Sequence, residues 1–88
     1  MIVKIDHSFD KDISILRDAK VKIQIYRMIE DVSKAISIDA IKNIKKIKGY
    51  KNYFRIRIGN YRAGLTIDGN TAEFIRFLHR KDIYKRFP

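Results

Sequence analysis

The feature that most constrains the fold of this chain is a strict alternation of side chains in two neighbouring segments. From Tyr53 to Ile58, and again from Tyr61 to Ile67, apolar side chains occupy every second position. This period of two is typical of β-strands whose two faces meet different surroundings. Gly59 and Asn60 between the segments form a two-residue turn of the primed type, with Gly first. The pattern therefore predicts an antiparallel hairpin.

A third strand follows the hairpin. Asp68-Gly69-Asn70 forms a second hairpin turn, and residues 72–78 form the next strand. We therefore predict a three-stranded antiparallel meander. The pattern does not assign the two faces of the third strand, because its apolar residues point both ways: Phe74, Ile75, Phe77 and Leu78.

The first half of the chain predicts a strand followed by a helical hairpin. Ile2–Asp6 is a short extended segment with β-branched residues. Ser8 is a suitable N-cap for the first helix, and the second begins near Val21. Apolar stripes at helical spacing mark the core-facing sides, and they are Phe9, Ile13 and Leu16, then Val21, Ile25, Met28, Val32 and Ile36.

Two shorter helical pieces complete the predicted elements. Isoleucines recur every third residue from Ile38 to Ile47, with lysines on the opposite side. This spacing favours a single helical or 3₁₀ face, which Ser37 or Asp39 would cap and Gly49 would end. Residues 82–87 form a short terminal helix or turn.

Composition limits the class of protein. The 88 residues suffice for one modest core, and an apolar share of 45% argues against intrinsic disorder. The absence of Cys excludes a disulfide scaffold and thiol chemistry, and scattered acidic residues with two His imply neither a metal nor another cofactor. No apolar run approaches a membrane span of ~20 residues. We predict a single cytoplasmic α+β domain over residues 1–88, with no membrane partner.

Positive charge is concentrated in the second half. Residues 1–39 carry seven basic and seven acidic side chains, whereas residues 40–88 carry 13 basic and three acidic ones. No acidic residue lies between Asp39 and Asp68. Solubility requires only mixed charge, so the gap favours a surface that binds phosphate. A merely solvated positive face is the alternative.

The alternation places three arginines on one face of the sheet. If helices cover the apolar face of residues 53–58, then Arg55, Arg57 and Arg62 project together from the open face. Like charges on adjacent strands repel, and a bound polyanion would offset that repulsion. Independent solvation of each arginine is the alternative. Gly64 on the same face would leave room for a bulky ligand.

The end of the third strand adds candidates for proton transfer. His79 and Arg80 lie there, near Arg55 and Arg57 if the strands pair in register, and Tyr84 follows. Imidazole suits proton transfer near neutral pH, and neighbouring cations favour a phenolate. A structural role is the alternative for the histidine.

From Gly49 onward the sequence resembles the RelE toxins of the RelE/ParE superfamily. The run from Tyr53 to Arg62 looks like the family's alternating basic strand with its Gly-x-Tyr-Arg hairpin. The run from His79 to Tyr84 looks like its His-Arg-Lys-x-x-Tyr ending. The order of predicted elements also agrees with a RelE-like fold.

The resemblance implies a toxin of a type II toxin–antitoxin system that cleaves message in the ribosomal A site. The implied partners are a cognate RelB-like antitoxin, the ribosome and mRNA. The superfamily also contains gyrase inhibitors, so a ParE-like non-enzymatic toxin is one alternative. An inactive member that binds nucleic acid is another.

The resemblance also implies roles for individual residues. Arg62 matches the hairpin Arg expected to stabilise the transition-state phosphate, and Tyr84 matches a C-terminal Tyr that orients or activates the nucleophile in some members. Arg80 and His79 are the other catalytic candidates. A basic set is expected to bind the RNA phosphates: Arg55, Arg57, Lys48, Lys51 and Lys81.

These residue types suit RNA cleavage without a metal. The reaction requires a base for the 2′-OH, cations for the charge on phosphorus and an acid for the leaving oxygen. Arginine supplies cations and bidentate contacts but does not act as a base. We therefore expect weak activity on free RNA and a ribosome that supplies the missing orientation.

Overall fold

One five-stranded mixed sheet with helices on both faces makes up the computed structural model, which describes residues 1–88. The elements are β1 (Ile2–Ile5), α1 (His7–Ser14), α2 (Ala19–Lys34), a 3₁₀ turn (Ile38–Ala40), β2 (Ile44–Lys46), β3 (Tyr53–Ile58), β4 (Tyr61–Asp68), β5 (Thr71–His79) and α3 (Arg80–Arg86). The strand order is β1-β5-β4-β3-β2. β1 pairs parallel to β5, and the other neighbours are antiparallel. The predicted α+β class is confirmed.

The predicted meander corresponds to β3, β4 and β5. Gly59 and Gly69 have positive φ angles of 54° and 58°, as the first central position of these hairpin turns requires. Along β3 the residues Phe54, Ile56 and Ile58 are buried, as the alternation predicts.

A β-bulge assigns the faces of β5, which the sequence pattern left open. The register between β4 and β5 shifts after Gly64, and the bulge gives β5 an extra residue at this point. Phe74 and Phe77, three residues apart, therefore both reach the main core. Ile75 and Leu78 pack on the opposite face.

The two faces of the sheet have separate cores. α1 and α2 cover one face, above a core that includes the fully buried rings of Phe9 and Phe74. α3 lies on the other face, where a smaller core consists of Ile47, Ile83 and Phe87. The apolar side chains that β5 presents on both faces are thus covered on both.

The prediction that Gly64 leaves room for a bulky ligand is wrong. A Cβ on Gly64 would lie 2.5 Å from Cδ2 of Phe87. The phenyl ring beyond the end of α3 therefore occupies the space above this glycine. The second face is open only where α3 does not cover it.

The isoleucine-rich segment does not form the predicted helical face beyond one 3₁₀ turn. Asn43 has a φ of 60°, which ends helical geometry, and Ile44–Lys46 then pairs with β3 as an edge strand. The threefold spacing of isoleucines suggested one helical face, but these side chains do not share a face. Ile41 is buried in the main core and Ile47 in the smaller core on the other side of the sheet.

Two details at the helix ends also differ from the predictions. The N-cap of α1 is Asp6, whose carboxylate accepts a hydrogen bond from the Ser8 N–H at 3.0 Å. Asp18 caps α2 in the same way, so that helix begins two residues before Val21. Ile36 lies beyond the end of α2 and is 95% exposed, so it does not continue the apolar stripe.

One ion pair connects the helical layer to the sheet. Asp12 on α1 accepts hydrogen bonds from Nε and Nη2 of Arg76 at 2.7 and 3.1 Å, and from the Phe77 N–H at 2.9 Å. The hydrogen bonds of Arg76 to Asp12, with the negative charge of that carboxylate, raise the pKa of Arg76 above its ordinary value, against the opposing effect of burial. The arginine therefore stays charged at any physiological pH.

None of the helices is both long and apolar enough to cross a membrane.

Candidate functional site

A pocket of about 290 Å³ lies on the part of the second sheet face that α3 leaves open. Strand register explains why its arginines meet there. Arg57 pairs directly with Arg62 across β3 and β4, and Arg55 pairs with Lys45 on β2. We call this the arginine pocket, and its lining residues are Asn43, Ile44, Lys45, Arg55, Arg57, Arg62 and Tyr84.

The arginine pocket contains four cationic side chains and no carboxylate. None of its arginines takes part in an ion pair, since the two ion pairs of the protein are Lys34–Glu30 and Arg76–Asp12. Four like charges on three adjacent strands repel one another. A bound anion would relieve this repulsion, so the pocket is electrostatically suited to phosphate.

Tyr84 forms the wall of the pocket on the side of α3. Its ring centroid lies 4.4 Å from Cζ of Arg55, which is a close cation–π contact. Ile83 of α3 and Phe87 just after it are buried in the smaller core, whereas Tyr84 is 62% exposed. The small core thus fixes the helix, and the helix presents a phenol to the arginines and to solvent.

Arg62 is anchored by the hairpin turn that precedes it. Its Nη1 donates to the carbonyl oxygens of Gly59 and Tyr61, both at 2.9 Å. A guanidinium carries five N–H donors, so the anchored group keeps donors for a ligand. The turn therefore fixes the position of one cation in the pocket before any anion binds.

The remaining catalytic candidates lie outside the arginine pocket. His79 pairs with Tyr61, with ring centroids 5.8 Å apart, and its Nδ1 accepts the Lys81 N–H at 3.2 Å as the cap of α3. Arg80 is the exposed first residue of that helix. His79 is the last residue of β5 and Arg80 follows it, so both lie at the strand end as predicted, but neither lines the pocket.

The other predicted phosphate ligands are also peripheral. Lys48 and Lys51 lie on the connection between β2 and β3, and Lys81 lies in the first turn of α3. All three are exposed, and none lines the pocket. Their roles stay predictions.

Three pocket residues were missed from the sequence, namely Asn43, Ile44 and Lys45. Lys45 and Asn43 line the pocket because β2 is a strand whose Lys45 shares a face with Arg55. Ile44, Lys45 and Lys46 do not alternate between apolar and polar side chains, so the threefold spacing of isoleucines was the stronger signal in this segment.

Comparisons with known proteins agree with this architecture. Residues 3–84 match the family described as the ParE toxin of the type II toxin–antitoxin system, parDE. Toxin RelE3 of Methanocaldococcus jannaschii is 49% identical over 69 residues, which are 77% of this chain and 78% of that protein.

Solved structures extend the similarity to the whole fold. The structure of the RelB–RelE antitoxin–toxin complex from Methanococcus jannaschii has a chain that superposes with a TM-score of 0.81 at 41% identity, covering 97% of this chain and 99% of that one. The intact E. coli RelBE complex has one with a TM-score of 0.70 at 18% identity, covering 89% and 94%, which shows the shared fold.

The chain therefore belongs to the ParE toxin family of type II toxin–antitoxin systems. Within that family it is a RelE toxin, on the strength of its identity to the RelE relative and its superposition on the archaeal RelE structure. The resemblance inferred from the two sequence motifs is confirmed.

Proposed function

We propose that this toxin is a metal-independent endoribonuclease that cleaves messenger RNA on the ribosome. One observation carries the proposal, which is the presence of four cations and a phenol, with no carboxylate, in a single pocket. Attack of a 2′-OH on the neighbouring phosphate concentrates negative charge on the phosphorus oxygens. A preorganised group of cations stabilises that charge more in the transition state than in the ground state.

The arginines have distinct tasks in this proposal. Arg62, fixed by the turn carbonyls, faces the developing charge. Arg57, directly across the strand pair, contacts the same phosphate from the other side. Arg55 and Lys45 bind the phosphate backbone alongside. Removal of one such preorganised donor typically costs about 10²- to 10³-fold in rate.

Tyr84 is the proposed proton-transfer group. Its ring lies against the Arg55 guanidinium, and its hydroxyl is the one O–H group among the side chains that line the pocket. We assign no proton transfer to His79, because its Nδ1 caps α3 and its ring contacts Tyr61. Because the proposal assigns proton transfer to a single phenol, acid–base catalysis supplies only part of the rate. We expect the ribosome to supply the rest by orienting the message for attack.

An antitoxin is the proposed regulatory partner. The similar archaeal and bacterial chains come from structures of RelB–RelE and RelBE complexes. By analogy, a cognate antitoxin would bind this toxin and keep its cationic pocket from RNA.

The direct test is primer extension on messages translated by ribosomes with purified toxin. We expect the wild type to cut within translated codons and Arg62→Ala to cut about 10²- to 10³-fold more slowly. Arg17→Ala is the matched control, because Arg17 is an exposed arginine in the connection between α1 and α2. Equal cleavage by Arg62→Ala and wild type would contradict the proposal. Intact messages with inhibited gyrase supercoiling would favour a ParE-like function instead.

A further inference from the structure

A second and larger depression adjoins the arginine pocket. It has a volume of about 620 Å³ and lies where α2, the loop before β2 and the β3–β4 turn meet. We call it the α2 cleft. Asn43 and Arg57 line both the cleft and the arginine pocket, and the Arg57 N–H donates to the Asn43 carbonyl oxygen at 3.1 Å. The two depressions therefore adjoin at the edge of the sheet and share this residue pair.

The sizes of the two depressions suit different parts of a nucleotide. Sites for whole small molecules usually measure ~300–1,000 Å³. The arginine pocket, at about 290 Å³, lies at the lower edge of that range, and its four cations suit a phosphate group. The α2 cleft, at about 620 Å³, lies well within it.

The α2 cleft has an apolar floor and an amide-bearing rim. Its floor consists of four buried apolar side chains, Met28, Ile41, Ile56 and Ile58. Around the rim lie the exposed side chains of Gln24, Asn43 and Asn60. An apolar surface accepts the flat face of a base, and carboxamides pair with the donors and acceptors of base edges.

The charge around the cleft favours a polyanion. Three cations, Arg27, Lys42 and Arg57, line it against the single carboxylate of Asp31. A nucleic-acid strand that leaves the arginine pocket therefore continues over a positive surface.

We propose that the α2 cleft binds the nucleoside adjoining the scissile phosphate and that its rim amides set a base preference. This inference rests on the proposed function, since it assigns a second subsite to the same RNA strand. The phosphate lies in the arginine pocket, Arg57 contacts it at the boundary, and the base lies on the apolar floor.

The two Gly-Asn turns supply a matched pair of variants. Asn60 and Asn70 are both second residues of two-residue hairpin turns. The carbonyl oxygen of each accepts a backbone N–H, from Arg80 and Ile2 respectively, and alanine retains both bonds. Asn60 lines the cleft, whereas Asn70 does not. Gln24→Ala tests the opposite rim on α2.

The experiment compares cleavage rates on ribosomes across messages that differ only in the bases beside the cut. We expect Asn60→Ala and Gln24→Ala to change the ratio of rates between the best and worst messages by roughly five- to 100-fold. The Asn70→Ala variant should keep the wild-type ratio. Unchanged ratios in both cleft variants would overturn the inference while leaving the proposed function intact.

If neither the wild type nor any variant cleaves RNA, a binding measurement tests the base subsite separately from the proposed nuclease function. Short RNA with 2′-O-methyl groups is titrated into the labelled protein, and backbone amide shifts are followed by NMR. Shifts at Asn43, Ile58 and Asn60 that disappear in Gln24→Ala would support the subsite without any cleavage. Shifts confined to the arginine pocket would overturn the inference. It would also be overturned if the cleft variants bound this RNA as the wild type does and lost affinity only for the antitoxin.

Discussion

At the scale of single residues, Arg62 differs from the other arginines of its pocket because backbone carbonyls fix it. Both of its anchoring hydrogen bonds come from one guanidinium nitrogen. Lysine keeps the charge, but its single nitrogen lacks the planar fork with which arginine donates to the turn from one nitrogen and to a phosphate from others. We expect Arg62→Lys to slow cleavage by about tenfold or more, because a bond to a charged group contributes ~1.5–3 kcal/mol.

Arg57→Lys is the control for that substitution. Arg57 lies directly opposite Arg62, but its guanidinium forms no hydrogen bond within the protein that would be lost. A smaller loss of rate in Arg57→Lys, measured by primer extension on the same ribosomes, is the expected result. Equal losses in both variants would show that anchoring by the turn does not matter.

Tyr84 combines a packing role with a chemical one, and two substitutions separate them. Tyr84→Phe keeps the ring beside Arg55 but removes the hydroxyl. If the phenol transfers a proton, cleavage should fall by about 10²- to 10⁴-fold with RNA affinity unchanged. Tyr84→Leu should also weaken RNA binding, since it removes the cation–π contact of ~0.5–2 kcal/mol that positions the Arg55 guanidinium in the pocket. Titration of short RNA and single-turnover cleavage distinguish the two losses.

The sequence predicted which arginines share a face but not what surrounds them. Strand alternation and a two-residue turn suffice to place Arg55, Arg57 and Arg62 together. The position of Phe87 above Gly64 depends on how α3 packs, and no local pattern encodes that packing. His79 lies away from the pocket because the bulge in β5 changes the parity of the strand before it.

At the scale of elements, the contact between Gly64 and Phe87 fixes α3 on the sheet. Gly64→Ala would place a methyl group 2.5 Å from the phenyl ring. Overpacking of this kind costs ~1–3 kcal/mol, and we expect that loss in the free energy of unfolding measured with denaturant. Hydrogen exchange should also rise along α3, which carries Tyr84.

A double-mutant cycle identifies the cause of that loss. In a Phe87→Ala background, Gly64→Ala has no ring to displace, so its cost should nearly disappear. Additive costs in the double variant would show that the glycine serves the bulge in β4 and β5 rather than the contact with the ring.

The ion pair between α1 and β5 gives a second prediction at this scale. The side chains of Arg76 and Asp12 are 25% and 12% exposed, and the carboxylate also accepts the Phe77 N–H. Asp12→Asn should lower the free energy of unfolding by about 2 kcal/mol, because a largely buried guanidinium loses its counter-charge. The exposed pair Lys34–Glu30 supplies the control, since Glu30→Gln should change stability by less than about 0.5 kcal/mol.

The elements that the sequence predicted best are those specified by local chemistry. Turn glycines and alternation define β3, β4 and their hairpins without reference to the rest of the chain. β2 was missed because its three residues, Ile44–Lys46, are too few for alternation to outweigh the isoleucine spacing. Pairing with β3 makes this segment a strand, and such pairing is a tertiary interaction.

At the scale of the whole molecule, the net charge lies in the second half of the chain. Residues 1–39, which include β1, α1 and α2, carry seven basic and seven acidic side chains, whereas residues 40–88 carry 13 basic and three acidic ones. Residues 40–88 therefore carry the whole net charge, and they supply all four cations of the arginine pocket. Together with Arg27 and Lys42 of the α2 cleft, these cations would attract an RNA strand to the edge of the sheet where the two depressions adjoin.

The salt dependence of RNA binding tests whether this separation of charge is functional. For single-stranded nucleic acid, log Kd changes with log salt by ~0.7 for each phosphate neutralised. We expect Arg57→Ala to reduce the slope for a short single-stranded RNA by about 0.7, because its guanidinium contacts one phosphate. Lys20→Ala on α2 removes the same charge from residues 1–39, whose basic and acidic side chains are equal in number. The slope for this variant should equal that of the wild type. If both variants reduced the slope equally, RNA would respond to net charge alone, and the arginine pocket would not be a specific phosphate-binding site.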